Sequence, residues 1–271
     1  MPVTSTAYAR LAAAFPGLRV AEGAPRSGGG WVGAAELAAG GTTLDAFAGH
    51  AADELAREYG RAPRPHVAAA LALHRYAWPA CLLFTVPWFL HRRVPRLPVT
   101  EVSFHRVSGA MTVRTGAFAC LPDDPAAGLP GAWTVPSEAA LRGELRAAVA
   151  EHLAPLLDAF GPRMRRGPRA LWAMATDEIT EGLYYVAGLM GEEERAVAEL
   201  TRLLPGGTAP YAGGAGFRAA PHAGNGGAPA GGCERDRLTC CLFYTVSPEQ
   251  SCVSCPRATT SDRIGRRATA A

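Results

Sequence analysis

Cys240-Cys241-Leu-Phe-Tyr-Thr-Val-Ser-Pro-Glu-Gln-Ser-Cys252-Val-Ser-Cys255 gathers four of the chain's seven cysteines into one short segment near the end of 271 residues. Two adjacent thiols, ten intervening residues and a Cys-x-x-Cys make a compact set of soft ligands. Such a set suits an iron–sulfur cluster or zinc, and not magnesium or calcium. A structural zinc ion takes paired ligands two to four residues apart, because a turn must fold the second sulfur back onto the metal. Cys252 and Cys255 meet that demand. Cys240 and Cys241 do not, since adjacent side chains diverge. A two-iron core spreads its ligands more widely and is commonly held by four thiolates. The spacing therefore favours iron–sulfur over zinc.

The rest of the chain is read for what it brings to these cysteines. Apolar residues make up 48% and charged residues 19%, the balance of a globular protein with ample core. The net charge of +3 is too small to argue for nucleic acid. All 27 basic residues are Arg and none is Lys, so Arg alone carries no message about phosphate recognition. The N-terminus lacks the basic-then-apolar design of a secretory signal. The apolar run Trp78–Leu90 is short, is broken by Pro79 and Pro87, and reads as a buried segment rather than a transmembrane one. Clustered cysteines without an export signal point to the cytoplasm, or to a peripheral place at the inner face of the membrane.

Helical periodicity is expected over 5–15, 31–39, 43–59, 65–76, 137–160, 169–190 and 192–204. Ser137 is the N-cap of the fifth. Pro155 should kink or divide that helix, and Gly161-Pro162 should stop it. Val99–Val107 and Met111–Cys120, joined by Ser108-Gly109, read as a β-hairpin. The expected fold class is α+β, a mainly helical body with a small antiparallel hairpin region and a C-terminal cysteine-rich module. The expected division is a body over 1–205, a Gly/Ala/Pro-rich linker over 206–232, the cluster module over 233–258 and a loose tail over 259–271.

Arg237-Leu-Thr-Cys240-Cys241-Leu-Phe-Tyr244 followed by Cys252-Val-Ser-Cys255-Pro resembles the C-terminal signature of FhuF-like ferric-siderophore reductases, Cys-Cys-x10-Cys-x-x-Cys. Residues 137–205, with Arg169-Ala-Leu-Trp172 to Asp177, resemble the helical part of that family more weakly. The long linker and Cys233 depart from its pattern. The resemblance implies a [2Fe–2S] cluster with Cys240, Cys241, Cys252 and Cys255 as ligands, and no catalytic side chain beyond them. It further implies one-electron reduction of a ferric siderophore, releasing Fe(II). Siderophores hold Fe(III) with hard oxygen donors, and Fe(II) is held far more weakly. The partners it implies are a ferric siderophore and an electron-donor protein or reduced flavin, with no nucleic acid. The alternative is a zinc- or cluster-stabilised binding or sensing protein without turnover.

Other residues carry weaker expectations. Arg235, Arg237 and Arg257 flank the cysteines, and their charge would favour the reduced cluster. Asp177, Glu178 and Glu181 share a helix; the ordinary reading is a solvated, Arg-paired face, the other an acidic pair for iron in transit. Arg163, Arg165 and Arg166 form a basic loop that would be plainly solvated, or would attract an anionic siderophore or a redox partner. Cys81 and Cys120 read as core, Cys233 as a bystander, and the seven histidines as structural or surface residues. Trp172 is expected to pack, and Phe243 and Tyr244 to shield the cluster or anchor its module.

Overall fold

The structure, a computed structural model, describes residues 3–219, 233–250, 252 and 254–257. Its N-terminal part carries α1 (Ser5–Ala14), β1 (Val20–Glu22), β2 (Trp31–Gly33), α2 (Ala34–Ala38) and α3 (Gly41–Tyr59). The central part carries α4 (Pro65–His91), β3 (Val94–Arg96), β4 (Val102–His105), β5 (Met111–Val113), β6 (Ala117–Cys120) and β7 (Ala132–Thr134). Then come α5 (Glu138–Met164), α6 (Pro168–Leu189), α7 (Glu193–Leu203), β8 (Gly216–Ala219) and β9 (Cys233–Asp236). The class is α+β and mainly helical, as expected.

α4 is the axis of the body. It packs against α5, α6, α3 and α1, and Tyr76, Phe84, Trp88 and Phe89 are fully buried. A helix apolar on every side is one surrounded by other elements. By length and composition α4 is the one helix among the described residues apolar enough to cross a bilayer, but most of that stretch is buried inside the fold. The break expected at Pro79 and Pro87 does not occur. Proline removes the N–H that would bond the carbonyl four residues back. For Pro87 that carbonyl is Leu83 O, and it accepts the Tyr8 hydroxyl of α1 at 2.9 Å instead. α5 likewise runs through Pro155 and past Gly161-Pro162 to Met164, where Arg165 turns left-handed (φ 54°) and closes it. Ser137 caps α5, its hydroxyl accepting Ala140 N–H at 3.2 Å.

The hairpin forms in the expected place, with β4 antiparallel to β5 and Val102 opposite Val113. It extends to a four-stranded sheet, β1-β5-β4-β2, in which β1 joins parallel. Trp31–Gly33 is strand, not the start of a helix, because it pairs with β4, setting Trp31 opposite His105. Only Ala34–Ala38 is helical there. The residues after Val113 leave for a second sheet, β3-β6-β7.

Of the expected linker, residues 206–219 are described. Tyr211 is buried and donates to Arg146 O at 2.7 Å. Gly216–Ala219 forms β8, antiparallel to β9. Residues 220–232 and the expected tail from 259 lie outside the described residues.

Candidate metal centre on the C-terminal cysteine loop

The loop carrying the cysteines is fastened to the body by one buried carboxylate. Asp177, on the inward face of α6, is fully buried. Its Oδ1 accepts Arg235 Nη2 at 2.7 Å and Leu238 N–H at 2.9 Å. Its Oδ2 accepts Thr239 N–H at 2.8 Å and the Thr239 hydroxyl at 2.6 Å. One helical turn on, Glu181 accepts Arg235 Nη1 at 2.5 Å. Asp177 and Glu181 are therefore Arg-paired as expected. Asp177 and Glu178 are buried rather than solvated, because the C-terminal loop covers this face of α6. Asp177 holds the residues leading directly into Cys240. Gly213 (φ 75°) lets the backbone pass against Leu238: an added Cβ there would lie 2.6 Å from a Leu238 methyl.

Arg237 is buried beneath the cysteines, its side chain 6% exposed and its Nε 4.0 Å from Asp177 Oδ2. That Nε has no hydrogen-bond partner among the described residues. Burial works against the guanidinium charge, but Glu178, Asp177 and the Cys241 sulfur outweigh it and hold its pKa above the ordinary value. A buried cation of this kind calls for a negative neighbour.

The four thiols lie close enough to act on one another: Cys240 feels Cys255 and Cys241, and Cys252 feels Cys241 and Cys255, with the Cys241–Cys252 interaction the strongest. The loop reaches this arrangement through Leu242, which is left-handed (φ 67°). Its N–H donates to Cys240 Sγ at 3.4 Å, and Phe243 N–H donates to Cys241. The Cys252-x-x-Cys255 turn closes with Cys255 N–H on Cys252 O at 3.1 Å. Donation from Cys252 pulls the Cys241 thiol down to about 5 against its burial, with help from Phe243 N–H, Arg237 and His74. Cys252 moves the opposite way because it keeps the proton the pair shares. Burial raises Cys240. Among the described residues no three His, Cys, Asp or Glu side chains converge as a site for one metal ion.

Cys241 and Cys252 open onto a cavity of about 840 Å³, within the range of small-molecule sites. α3 lines it with Glu54, Leu55, Arg57 and Glu58; α4 adds Leu71, His74 and Arg75; the loop adds Arg237, Phe243 and Gln250. Phe243 stands edge-on to Tyr59 of α3, with centroids 5.3 Å apart, so it anchors the loop and walls the cavity. His74 Nδ1 lies 2.8 Å from both oxygens of the buried Glu178. Burial lowers the imidazole pKa, yet Glu178 more than offsets this, and the net shift is upward.

The sequence reading missed this cavity wall and the His74–Glu178 pair, because nothing in spacing joins residues so far apart. The other expectations fall into place individually. Cys81 and Cys120 are buried. Cys233 is partly exposed in β9, its carbonyl accepting the Tyr184 hydroxyl at 2.6 Å. Trp172 packs edge-on against Tyr211, and Arg257 lies over the Tyr244 ring. In the basic loop, Arg163 pairs with Asp45 at 2.6 Å, while Arg166 Nη2 donates to Cys240 O at 2.7 Å.

Residues 237–257 match the family model of the FhuF 2Fe-2S C-terminal domain. The segment is thus FhuF-like, the domain is described as 2Fe-2S, and the chain is an iron–sulfur protein related to siderophore iron. No curated protein matches the chain.

Proposed function

We propose that the protein is a ferric-siderophore reductase that passes single electrons from a [2Fe–2S] cluster to a ferric complex seated in the cavity beside Cys241 and Cys252. Residues 233–258 form the cluster module and residues 1–205 the body that carries it. The ligands in this reading are Cys240, Cys241, Cys252 and Cys255. The donor set fits: four mutually interacting thiols on one loop would hold a two-iron core, which is commonly bound by four thiolates. The buried Arg237 supplies the positive charge that four thiolates and two sulfides call for, and the N–H groups of Leu242 and Phe243 point at sulfur.

The cluster supplies one electron at a time. The chain's own residues do the rest. Asp177 fixes the loop so that Cys241 faces the cavity. Arg237 stabilises added negative charge. The walls from α3 and α4 hold the ferric complex within reach of the Cys241–Cys252 side, and Glu54, Glu58, Arg57 and Arg75 present hydrogen-bonding groups of both signs to its periphery. Once reduced, the iron leaves its hard oxygen donors readily, so no acid–base side chain is required.

The observation that carries this reading is that two of the four cysteines line a substrate-sized cavity. Anaerobically purified protein should contain iron and labile sulfide, show a visible spectrum that bleaches on reduction, and give a reduced-state EPR signal. Colourless protein with stoichiometric zinc would overturn it in favour of a binding or sensing role.

A further inference from the structure

We propose that a second face of the cysteine loop, built from Arg165, Arg166, Arg169 and Leu238, is the docking surface for an acidic protein that donates single electrons. The inference rests on the cluster assignment above. Arg165 and Arg169 are exposed, and no carboxylate pairs with either among the described residues, in contrast to Arg163, which Asp45 neutralises. Arg166 joins this patch to the loop through its 2.7 Å bond to Cys240 O. Leu238, two residues from Cys240, is 42% exposed. It borders a shallow depression of about 580 Å³ shared with Arg169 and Thr239.

Basic groups around a small apolar centre are what a transient redox encounter uses. Such interfaces are small, and charge complementarity sets their association rate. The occupant must therefore be negatively charged at its own redox centre. The depression and the substrate-sized cavity share no lining residue, so a docked donor leaves the cavity free. The electron count closes without protons: the donor loses one electron to the cluster, and the cluster later loses one to Fe(III).

The test is stopped-flow reduction of cluster-loaded full-length protein by a reduced plant-type [2Fe–2S] ferredoxin, an acidic carrier, over a range of salt. Photoreduced 5-deazariboflavin, a small neutral donor, is run in parallel. The double variant Arg165→Glu/Arg169→Glu should be reduced by ferredoxin about tenfold or more slowly at low salt, with its salt dependence flattened. Its rate with deazariboflavin should be unchanged. Leu238→Gln should slow the ferredoxin reaction and leave the salt slope intact. Equal ferredoxin rates for wild type and double variant overturn the proposal, as does equal slowing with both donors. Unchanged ferredoxin rates with loss of binding to phosphatidylserine vesicles would make the patch a membrane face and overturn it too. Because the measurement starts from loaded protein, an unchanged rate leaves the cluster assignment standing. Conversely, a cluster that ferredoxin reduces but no ferric complex reoxidises defeats the reductase reading and leaves the docking face standing.

Discussion

Replacing Asp177 by Asn keeps the side chain's shape and removes its charge, and the consequences follow from four hydrogen bonds. Each carboxylate oxygen receives two donors: Arg235 and Leu238 N–H on one, Thr239 N–H and hydroxyl on the other. Whichever way the amide turns, its NH2 group faces two donors, and both of those hydrogen bonds are lost. Arg235, with a side chain 3% exposed, keeps only Glu181 as a charged partner among the described residues. Breaking a buried ion pair from one side costs about 3–5 kcal/mol. If that cost falls on the loop, its opening equilibrium rises by roughly two to three and a half orders of magnitude, at 1.4 kcal/mol per tenfold. Amide hydrogen exchange reads this directly, because Leu238 and Thr239 N–H both donate to Asp177. Their exchange should accelerate at least about a hundredfold by the same arithmetic, while core amides of α5 such as Leu145 and Leu153 hold their protection. Iron loss to a chelator should quicken in parallel. Protection at Leu238 and Thr239 close to wild type would refute the reasoning, and so would equal acceleration in α5, which would make Asp177 a support of the whole fold.

Arg237→Gln should lower the cluster midpoint potential by on the order of 50–100 mV at 59 mV per tenfold for one electron, measured by EPR-monitored titration; an unchanged midpoint would show that its charge does not reach the cluster. Cys240→Ala, Cys241→Ala, Cys252→Ala and Cys255→Ala should each abolish [2Fe–2S] assembly, whereas Cys233→Ser, Cys81→Ala and Cys120→Ala should retain full iron and sulfide content by chemical assay. His152 gives a pH signature of stability. Its Nε2 accepts from Tyr76 OH at 2.8 Å and its Nδ1–H donates to Leu97 O at 2.7 Å, so the folded state holds it neutral. Burial pulls its pKa down to about 4 from 6.5, with Leu97 O opposing. The unfolded chain then binds a proton that the folded one does not, and stability falls by roughly 3 kcal/mol as pH drops from 6.5 through 4. Denaturant midpoints of wild type and His152→Gln should converge over that window, and a gap independent of pH would contradict it.

The helices were legible because their apolar residues recur on one face, as Leu141, Leu145, Val149 and Leu153 do in α5. Proline misled the reading, since propensity cannot see a tertiary partner: Tyr8 takes the carbonyl that Pro87 frees, and α4 continues. Trp31–Gly33 looked helical because its strand identity comes from pairing with β4, which local pattern does not encode. The cysteine spacing was fully visible. Its surroundings were not, because Glu178 meets His74 and Asp177 meets Thr239 only once α4, α6 and the loop have been brought together. Of the acidic residues of α6, Asp177 and Glu181 are Arg-paired through Arg235 as expected, but the face is not solvated: Asp177 and Glu178 are buried, and Glu178 pairs with His74.

The central claim is that a cluster on this loop delivers an electron to iron held in the adjoining cavity. Protein reduced to one electron per cluster, freed of excess reductant and mixed anaerobically with a ferric siderophore, tests it directly. The account predicts loss of the reduced EPR signal with one Fe(II) appearing per cluster in a ferrous chelator. A reduced signal that survives every ferric complex tried, with no Fe(II) released, would contradict it.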